Sequence, residues 1–312
     1  MKYKFLVSVI IPNYCHARYL NQRIDSVLAQ TYQNFELIIL DDCSPDDGAS
    51  RKVIEQYREN PHVSHIVYNE ENSGSTFKQW DKGIKLAKGE LIWIAESDDF
   101  CEPNLLEVLV NEFERDERLT LAYTLLRKAD AEGRPIPYLR RTPRGVTHLD
   151  GHNYVRRYMT TCNHCANASA AVFKKSVYHD IDKGFTTYNA GGDMLFWIEI
   201  AEKGHVAIVN QRLNYFRQHQ VKVTTNSSRQ GVNSREFKKT YDYVCSHFGF
   251  SQRRKELMRS HVHYNIMKAD YASEEVRREL LAFWELPDCI SKGEWLRHKM
   301  MEVLHNRLSI FV

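Results

Sequence analysis

Four short apolar runs, each leading through turn residues into an amphipathic segment, occupy the first hundred residues and constrain the fold more than any other feature. Phe5–Ile11, Phe35–Leu40, Val63–Tyr68 and Leu91–Ala95 are rich in β-branched and aromatic side chains and are bounded by polar or glycine-containing stretches, a pattern that predicts buried strands. Between them lie helical patterns over Tyr19–Gln30, with Leu20, Ile24, Val27 and Leu28 on one face, over Ala49–Glu59, and over Thr76–Ala87, with Phe77, Trp80, Ile84 and Leu86. Strand alternating with helix at this spacing specifies right-handed βαβ units and a parallel sheet, an architecture that binds ligands outside the carboxyl ends of its strands.

Three of the four runs end in side chains suited to such a ligand. The first leads into Pro12-Asn13-Tyr14, the second into Asp41-Asp42, and the fourth into Ser97-Asp98-Asp99. A carboxylate after the second strand can accept hydrogen bonds from a base or ribose, and Tyr14 offers a ring for stacking. Adjacent Asp98 and Asp99 can present oxygen to a hard divalent cation carrying a diphosphate; the alternative is a solvated acidic turn before a helix at Leu105–Glu114. No G-x-G-x-x-G follows the first strand and no G-x-x-x-x-G-K-[ST] occurs, so the phosphates need a metal on the paired Asp, helped by a nearby cation such as Lys78 or Lys82.

Composition narrows the class. The 312 residues are 43% hydrophobic, enough for one large core or two modest ones. The 43 basic and 40 acidic residues leave a formal charge of +3, too balanced to imply nucleic-acid binding. Seven cysteines without regular spacing suit a reducing, cytoplasmic compartment better than a disulfide framework. The apolar start is short and breaks at Pro12 with no small-residue cleavage site, so it reads as a first strand and not a leader; no run reaches the roughly 18 apolar residues of a membrane helix.

Beyond residue 100 the sequence predicts strands at Leu119–Leu125 and Ala168–Phe173. Arg134–Arg144, with four arginines and three prolines, is an irregular basic loop, either solvated or receiving an anionic acceptor. Cys162-Asn163-His164-Cys165 lacks a second cysteine pair and reads as two buried thiols rather than a zinc site. In Tyr188-Asn189-Ala190-Gly191-Gly192-Asp193, two glycines permit a tight turn. Asp193 stands at the start of a helix over Met194–Lys203, where it is either a plain N-cap or a chemical group. From about Ser234 the pattern is helical, near Glu236–His247, Gln252–Ala269, Glu274–Trp284 and Gly293–Asn306. This tail is open to packing on the preceding domain, to homodimer contact, or to peripheral membrane contact through Trp295, Leu296, Met300, Val303 and Leu304.

Taken in order, Val7-Ser8-Val9-Ile10-Ile11-Pro12-Asn13-Tyr14, Gln30-Thr31-Tyr32, Phe35 to Ser44, Asn72-Ser73-Gly74, Ala87-Lys88-Gly89-Glu90 and Ser97-Asp98-Asp99 resemble the family 2 inverting glycosyltransferases. The likeness resumes at Tyr188–Gly204 and Tyr215-Phe216-Arg217-Gln218-His219. The resemblance implies an α/β GT-A fold, a Rossmann-like mixed sheet flanked by helices, with a helical C-terminal extension. It implies a nucleotide-diphosphate sugar donor, expected to be a UDP-sugar, a saccharide or lipid-linked acceptor, and Mn²⁺ or Mg²⁺. Residues matching Pro12, Asn13 and Tyr14 line the base pocket, and the acid matching Asp42, or its neighbour Asp41, pairs with the base. Those matching Asp98 and Asp99 meet ribose, metal and diphosphate, the second as metal ligand, with His219 near the metal or diphosphate. Where the family often has an arginine after the Asn-x-Gly loop, this chain has Lys78. The family's Glu-Asp pair maps onto Gly192 and Asp193, leaving Asp193 as general base. A Q-x-x-R-W signature is missing, which predicts one sugar added per encounter in polysaccharide, lipopolysaccharide or glycolipid synthesis.

The expected division is a catalytic domain over 1–232, with a nucleotide-binding half at 1–100 and an acceptor half at 101–232, followed by a helical region over 233–312. Two other functions compete. A nucleotidyltransferase would need a Gly-rich loop after the first strand, and a non-catalytic nucleotide-sugar-binding protein would not need Asp193.

Overall fold

A computed structural model of the chain describes residues 4–137, 144–218 and 227–308. The four apolar runs form β1 (Val7–Asn13), β2 (Phe35–Asp41), β3 (Val63–Tyr68) and β4 (Leu91–Ile94), interleaved with α1 (Ala17–Leu28), α2 (Ala49–Glu55) and α3 (Thr76–Leu86). Every residue of β1, β2 and β4 is buried, so the sheet requires cover on both faces. These strands are parallel, and Asn13 stands opposite Asp41 while Ile10 stands opposite Ile94. The register therefore delivers the ends of β1, β2 and β4 to one rim.

The second half extends the same sheet with β5 (Phe100–Cys101), α4 (Leu105–Arg115), β6 (Leu119–Ala129), β7 (Val146–Asp150), α5 (Gly151–Tyr158), β8 (Ala171–Lys174), α6 (Gly192–Glu202) and β9 (His205–Arg217). Strand order is β3, β2, β1, β4, β8, β6, β9, β5, with β7 beside β9. β8 runs antiparallel to both β4 and β6, and β9 runs parallel to β6 and antiparallel to β5 and β7. The outcome is the expected mixed sheet flanked by helices.

Period-two alternation sorts each strand's side chains between two cores. Ile10, Ile38, Leu40, Ile92 and Ile94 pack with Phe77, Trp80 and Ile84 of α3 and with Phe196 and Trp197 of α6. Val9, Ile11, Leu37, Ile39 and Trp93 pack with Leu20, Ile24 and Val27 of α1 and with Leu105, Leu106 and Leu109 of α4. α3 lies close against β1 because Gly83 faces Ile10; a Cβ there would sit 2.4 Å from Ile10 Cγ2.

The structure departs from the sequence reading in several elements: β5, β7 and α5 carry no sequence signal, and two further departures have a physical reason. The run Ala168–Phe173 opens as a 3₁₀ turn over Ala168–Ala170 before β8 begins, and Ser169 ties that turn to β4 by accepting from Trp93 Nε1 and Glu96 N through its carbonyl and hydroxyl oxygens (2.9 and 3.0 Å). The 13-residue β9 was not anticipated, because the polar stretch Asn210-Gln211-Arg212 interrupts its apolar pattern where the register against β6 shifts.

The C-terminal region forms α7 (Val232–His247), α8 (Gln252–Lys268), α9 (Glu274–Phe283) and α10 (Lys292–Leu308). Val244, Phe248, Phe250 and Met258 join the core cluster of the sheet, whereas Val262, Ile266, Tyr271, Leu280, Leu281 and Trp284 form a cluster of their own. α7 and α8 thus share the core of the residues that precede them. In α10, Trp295 packs on Tyr264 at 4.8 Å between ring centroids, while Leu296 and Met300 stay exposed.

Gly83→Ala should cost about 1–3 kcal/mol through overpacking against Ile10. Combined with Ile10→Ala it should cost less than the sum of the two single changes. Denaturation midpoints of the three variants measure this, and strict additivity would refute the contact.

Candidate active site

The rim defined by the strand register opens into a cavity of about 480 Å³, within the range of small-molecule sites. Pro12, Asn13 and Tyr14 after β1, Asp42 after β2, Ser75 to Phe77 at the start of α3, and Glu96 to Asp98 after β4 line it. The second half contributes Asn167, Asn189, Ala190, Phe216 and, from the first turn of α6, Asp193. Groups far apart in sequence, Asp98 and Asp193 among them, therefore share one space.

The carboxylates that line the cavity differ in how they are held. Asp42 accepts at one oxygen from Asn69 Nδ2, Ser73 N and Gln79 Nε2 (2.6, 2.9 and 2.9 Å) and at the other from Ser73 Oγ and Asn72 Nδ2 (2.7 and 3.2 Å). It thereby orders the loop that leads into α3. Asp193 accepts from Asn163 Nδ2 at 2.8 Å and from Met194 N at 2.9 Å, and burial pushes its carboxyl up to about 6. Glu96 accepts from Trp80 Nε1 at 2.9 Å, and burial, with the charges of Asp98 and Asp99 nearby, pushes it up to about 8.

Three sequence expectations are corrected by position. Asp99, expected to face a metal, is fully buried: its oxygens accept from Asn167 Nδ2 (2.8 Å) and Arg217 N (3.1 Å), and burial beside Asp98 raises its carboxyl. Asp98 is the member of the pair that lines the cavity. Asp41 is buried away from the cavity, where it accepts from Asn13 Nδ2 (2.6 Å) and from Ser44 Oγ and N (2.7 and 3.1 Å) to hold the turn after β2. Lys78 does not reach the cavity; the inward face of α3 is taken by Phe77, Gln79 and Trp80, and the exposed ammonium donates to Ser73 O at 2.8 Å. Lys82 donates to Asn69 Oδ1 at 2.5 Å. His219 lies outside the described residues.

Several groups escaped the sequence reading. Glu96 stands two residues before Asp98 and could have been found as a third acid at the same strand end. Asn163 and Asn167, which hold Asp193 and Asp99, gave no signal beyond their closeness to Cys162 and Cys165; of these two expected buried thiols, Cys165 is buried in the core and Cys162 is exposed. Arg217, at the end of β9, stacks over Tyr19 and Phe100 and donates through Nε to Asp98 O at 2.7 Å and through its other nitrogens to Ala131 O and Gln22 Oε1 (3.0 and 2.5 Å). It clamps the acidic turn from below.

The lining includes Asp42, Glu96, Asp98 and Asp193 but, among the described residues, no lysine or arginine. A diphosphate entering here would meet carboxylates with no side-chain cation to offset it. That charge balance fits a divalent cation arriving with the phosphates. No group of three or more His, Cys, Asp or Glu able to hold a metal assembles among the described residues. A cation arriving here would be held through one or two carboxylates, with phosphate oxygens and water completing its shell.

A mixed α/β sheet flanked by helices, with an acidic cavity at its carboxyl rim, is the architecture of the GT-A glycosyltransferases. The sequence profile described as glycosyl transferase family 2 matches residues 8–181, and the chain belongs to that family. Among relatives, it is 32% identical over 148 residues to a Bacillus subtilis protein named as a teichuronic acid biosynthesis glycosyltransferase, TuaG, covering 47% of this chain and 57% of that one. It is 36% identical over 131 residues to chondroitin synthase of Escherichia coli, covering 42% of this chain and 18% of that one. The matched part thus spans just over half of the first and under a fifth of the second. Among solved structures, Staphylococcus aureus TarS 1–349 in complex with UDP-GlcNAc superposes with a TM-score of 0.67 at 16% identity, covering 89% of this chain and 80% of that one. The mannosyltransferase PcManGT from Pyrobaculum calidifontis, in complex with GDP-Man and Mn²⁺, gives 0.57 at 16% identity over 97% and 81%. Both likenesses support the fold.

The raised Asp193 carboxyl has a consequence for stability. Its folded value of about 6 lies above the ordinary 3.8, so folding favours the protonated form and the charged form costs stability as pH rises through that window. Asp193→Asn should therefore gain up to about 3 kcal/mol relative to the wild type between pH 4 and pH 7. Denaturation of both proteins at the two pH values measures the difference, and a pH-independent gap would contradict a desolvated carboxylate.

Proposed function

We propose that the protein transfers a sugar from a nucleotide-diphosphate donor, a UDP-sugar first among candidates, to an acceptor hydroxyl, with inversion and with help from Mn²⁺ or Mg²⁺. The observation that carries this reading is the shared cavity of Asp98 and Asp193, delivered by the end of β4 and the start of α6. Pro12, Asn13 and Tyr14 receive the base, the ring of Tyr14 being 44% exposed and free to be covered. Asp98, with Glu96 beside it, would hold the cation, which would neutralise charge on the diphosphate leaving group.

Asp193 is the general base. Asn163 and the Met194 amide fix its carboxylate, and a raised proton affinity matches it to a hydroxyl near neutral pH. It takes the proton from the acceptor oxygen as that oxygen attacks the anomeric carbon from the face opposite the nucleotide. One bond to the incoming oxygen forms, the bond to the diphosphate oxygen breaks, and the configuration inverts. The acceptor is a saccharide or a lipid-linked saccharide, the product belongs to a cell-envelope polysaccharide or a glycolipid, and one sugar is added per encounter. TuaG and chondroitin synthase, by their names, lend the polysaccharide part of this reading its support. The seven cysteines are all free, which agrees with work in a reducing interior. No helix among the described residues is long and apolar enough to cross a membrane.

Release of UDP from UDP-GlcNAc with Mn²⁺ tests the proposal. Asp193→Asn should lower kcat by about 10²–10⁴-fold while UDP binding is kept, and wild-type kcat should rise with pH through about 6 as the base loses its proton. Asp98→Ala should instead abolish the metal dependence of UDP binding. Binding without turnover across nucleotide sugars would leave only a non-catalytic sugar-nucleotide binder.

A further inference from the structure

Glu236 lies in α7, within the C-terminal helical region, and its carboxylate is buried. One oxygen accepts from Asn189 N at 2.6 Å, and the other accepts from Ala190 N at 3.0 Å and Gly191 N at 2.8 Å. Three successive backbone N–H groups thus converge on one side chain, an anion-binding concavity filled by the protein's own carboxylate. The residues so held are not remote from the chemistry. Asn189 and Ala190 line the cavity, and Gly191 precedes the helical turn that carries Asp193.

We propose that Glu236 is a positioning residue for Asp193: its carboxylate fixes the Asn189–Gly191 backbone and with it the direction in which Asp193 enters the cavity. The inference deepens the transfer reaction proposed above and rests on Asp193 as its base. The loop has few other ways to be held. Gly191 and Gly192 contribute no side chains, and a Cβ at Gly192 would lie 2.7 Å from Phe185 O. Other anchors flank the turn: Tyr188, whose carbonyl accepts from Ser75 Oγ at 2.9 Å, whose hydroxyl meets Thr240 Oγ1 at 3.4 Å and whose ring faces Lys239, and Asp193, which accepts from Asn163. Without Glu236 the three N–H groups lose their shared acceptor, and the turn gains freedom next to the base. Glu236 also acts on Asp193 by charge, raising its proton affinity, and the buried Cys165 thiol interacts with Asp193 as well.

The test uses the full chain with Glu236→Gln, which keeps the shape but sets an NH₂ against N–H donors. Without any substrate, hydrogen exchange at Asn189, Ala190 and Gly191 should speed up about tenfold or more while the centre of α6 is unchanged. With UDP-GlcNAc and Mn²⁺, kcat for UDP release should fall about 10–100-fold, as expected for a misplaced base, with KM and UDP affinity within about twofold. The acidic midpoint of the kcat profile should move down. Unchanged exchange and kcat in a folded variant would overturn the inference, and so would equal losses of kcat and UDP affinity, which mark a general structural role. Asp193→Asn runs alongside: full activity there removes the base assignment whatever Glu236 does, and the exchange result then stands by itself. If Glu236→Gln does not fold, Glu236→Asp, which withdraws the carboxylate by one methylene but keeps its charge, carries the exchange, kcat and KM readouts.

Discussion

Repulsion among carboxylates gathered in one cavity is the constraint that shapes the rest of this protein. Asp42, Glu96, Asp98 and Asp193 line a space of about 480 Å³ with no lysine or arginine among the described lining residues. Such a collection is unfavourable in a folded chain unless each group is neutralised, hydrogen-bonded or matched by a cation from outside. The structure uses the first two means and leaves room for the third. Glu96 and Asp193 are pushed toward protonation, Asp42 is saturated with donors, and Asp98 faces the cavity.

The supports come from far along the chain. Arg217, from the end of β9, donates through Nε to the Asp98 carbonyl and through its backbone N–H to the Asp99 carboxylate, whose other oxygen accepts from Asn167, just before the 3₁₀ turn that leads into β8. Asn163 holds Asp193, and Glu236 holds the turn before it. The acidic end of β4 is thus kept in place by the second half of the sheet, and the turn before Asp193 is kept in place by α7. This cross-bracing gives a physical reason for α7 to share the core of the sheet rather than stand apart.

Legibility followed the range of the interactions. β1 to β4 and α1 to α3 were readable because their short apolar runs and 3.6-residue apolar faces are local and uninterrupted. β9 was not, since Asn210-Gln211-Arg212 breaks its pattern and only pairing with β6 and β7 makes it a strand. The loop bearing Asp42 announced a polar strand end, but sequence could not say that its oxygens would be occupied by Asn69, Asn72, Ser73 and Gln79. The resemblance pointed to Asp99 as the metal ligand, whereas Asp98 lines the cavity, because adjacent residues carry no local information about which one the turn exposes.

The sequence by itself determined the alternating strands and helices, the acids at their carboxyl ends and the family to which the chain belongs, because each follows from short-range pattern and order. Tertiary structure decided which carboxylate enters the cavity and which is buried, that Lys78 turns away, and that Glu236 reaches the turn before Asp193. Those choices depend on strand register, on helix rotation and on contacts between residues far apart along the chain, none of which a local pattern encodes.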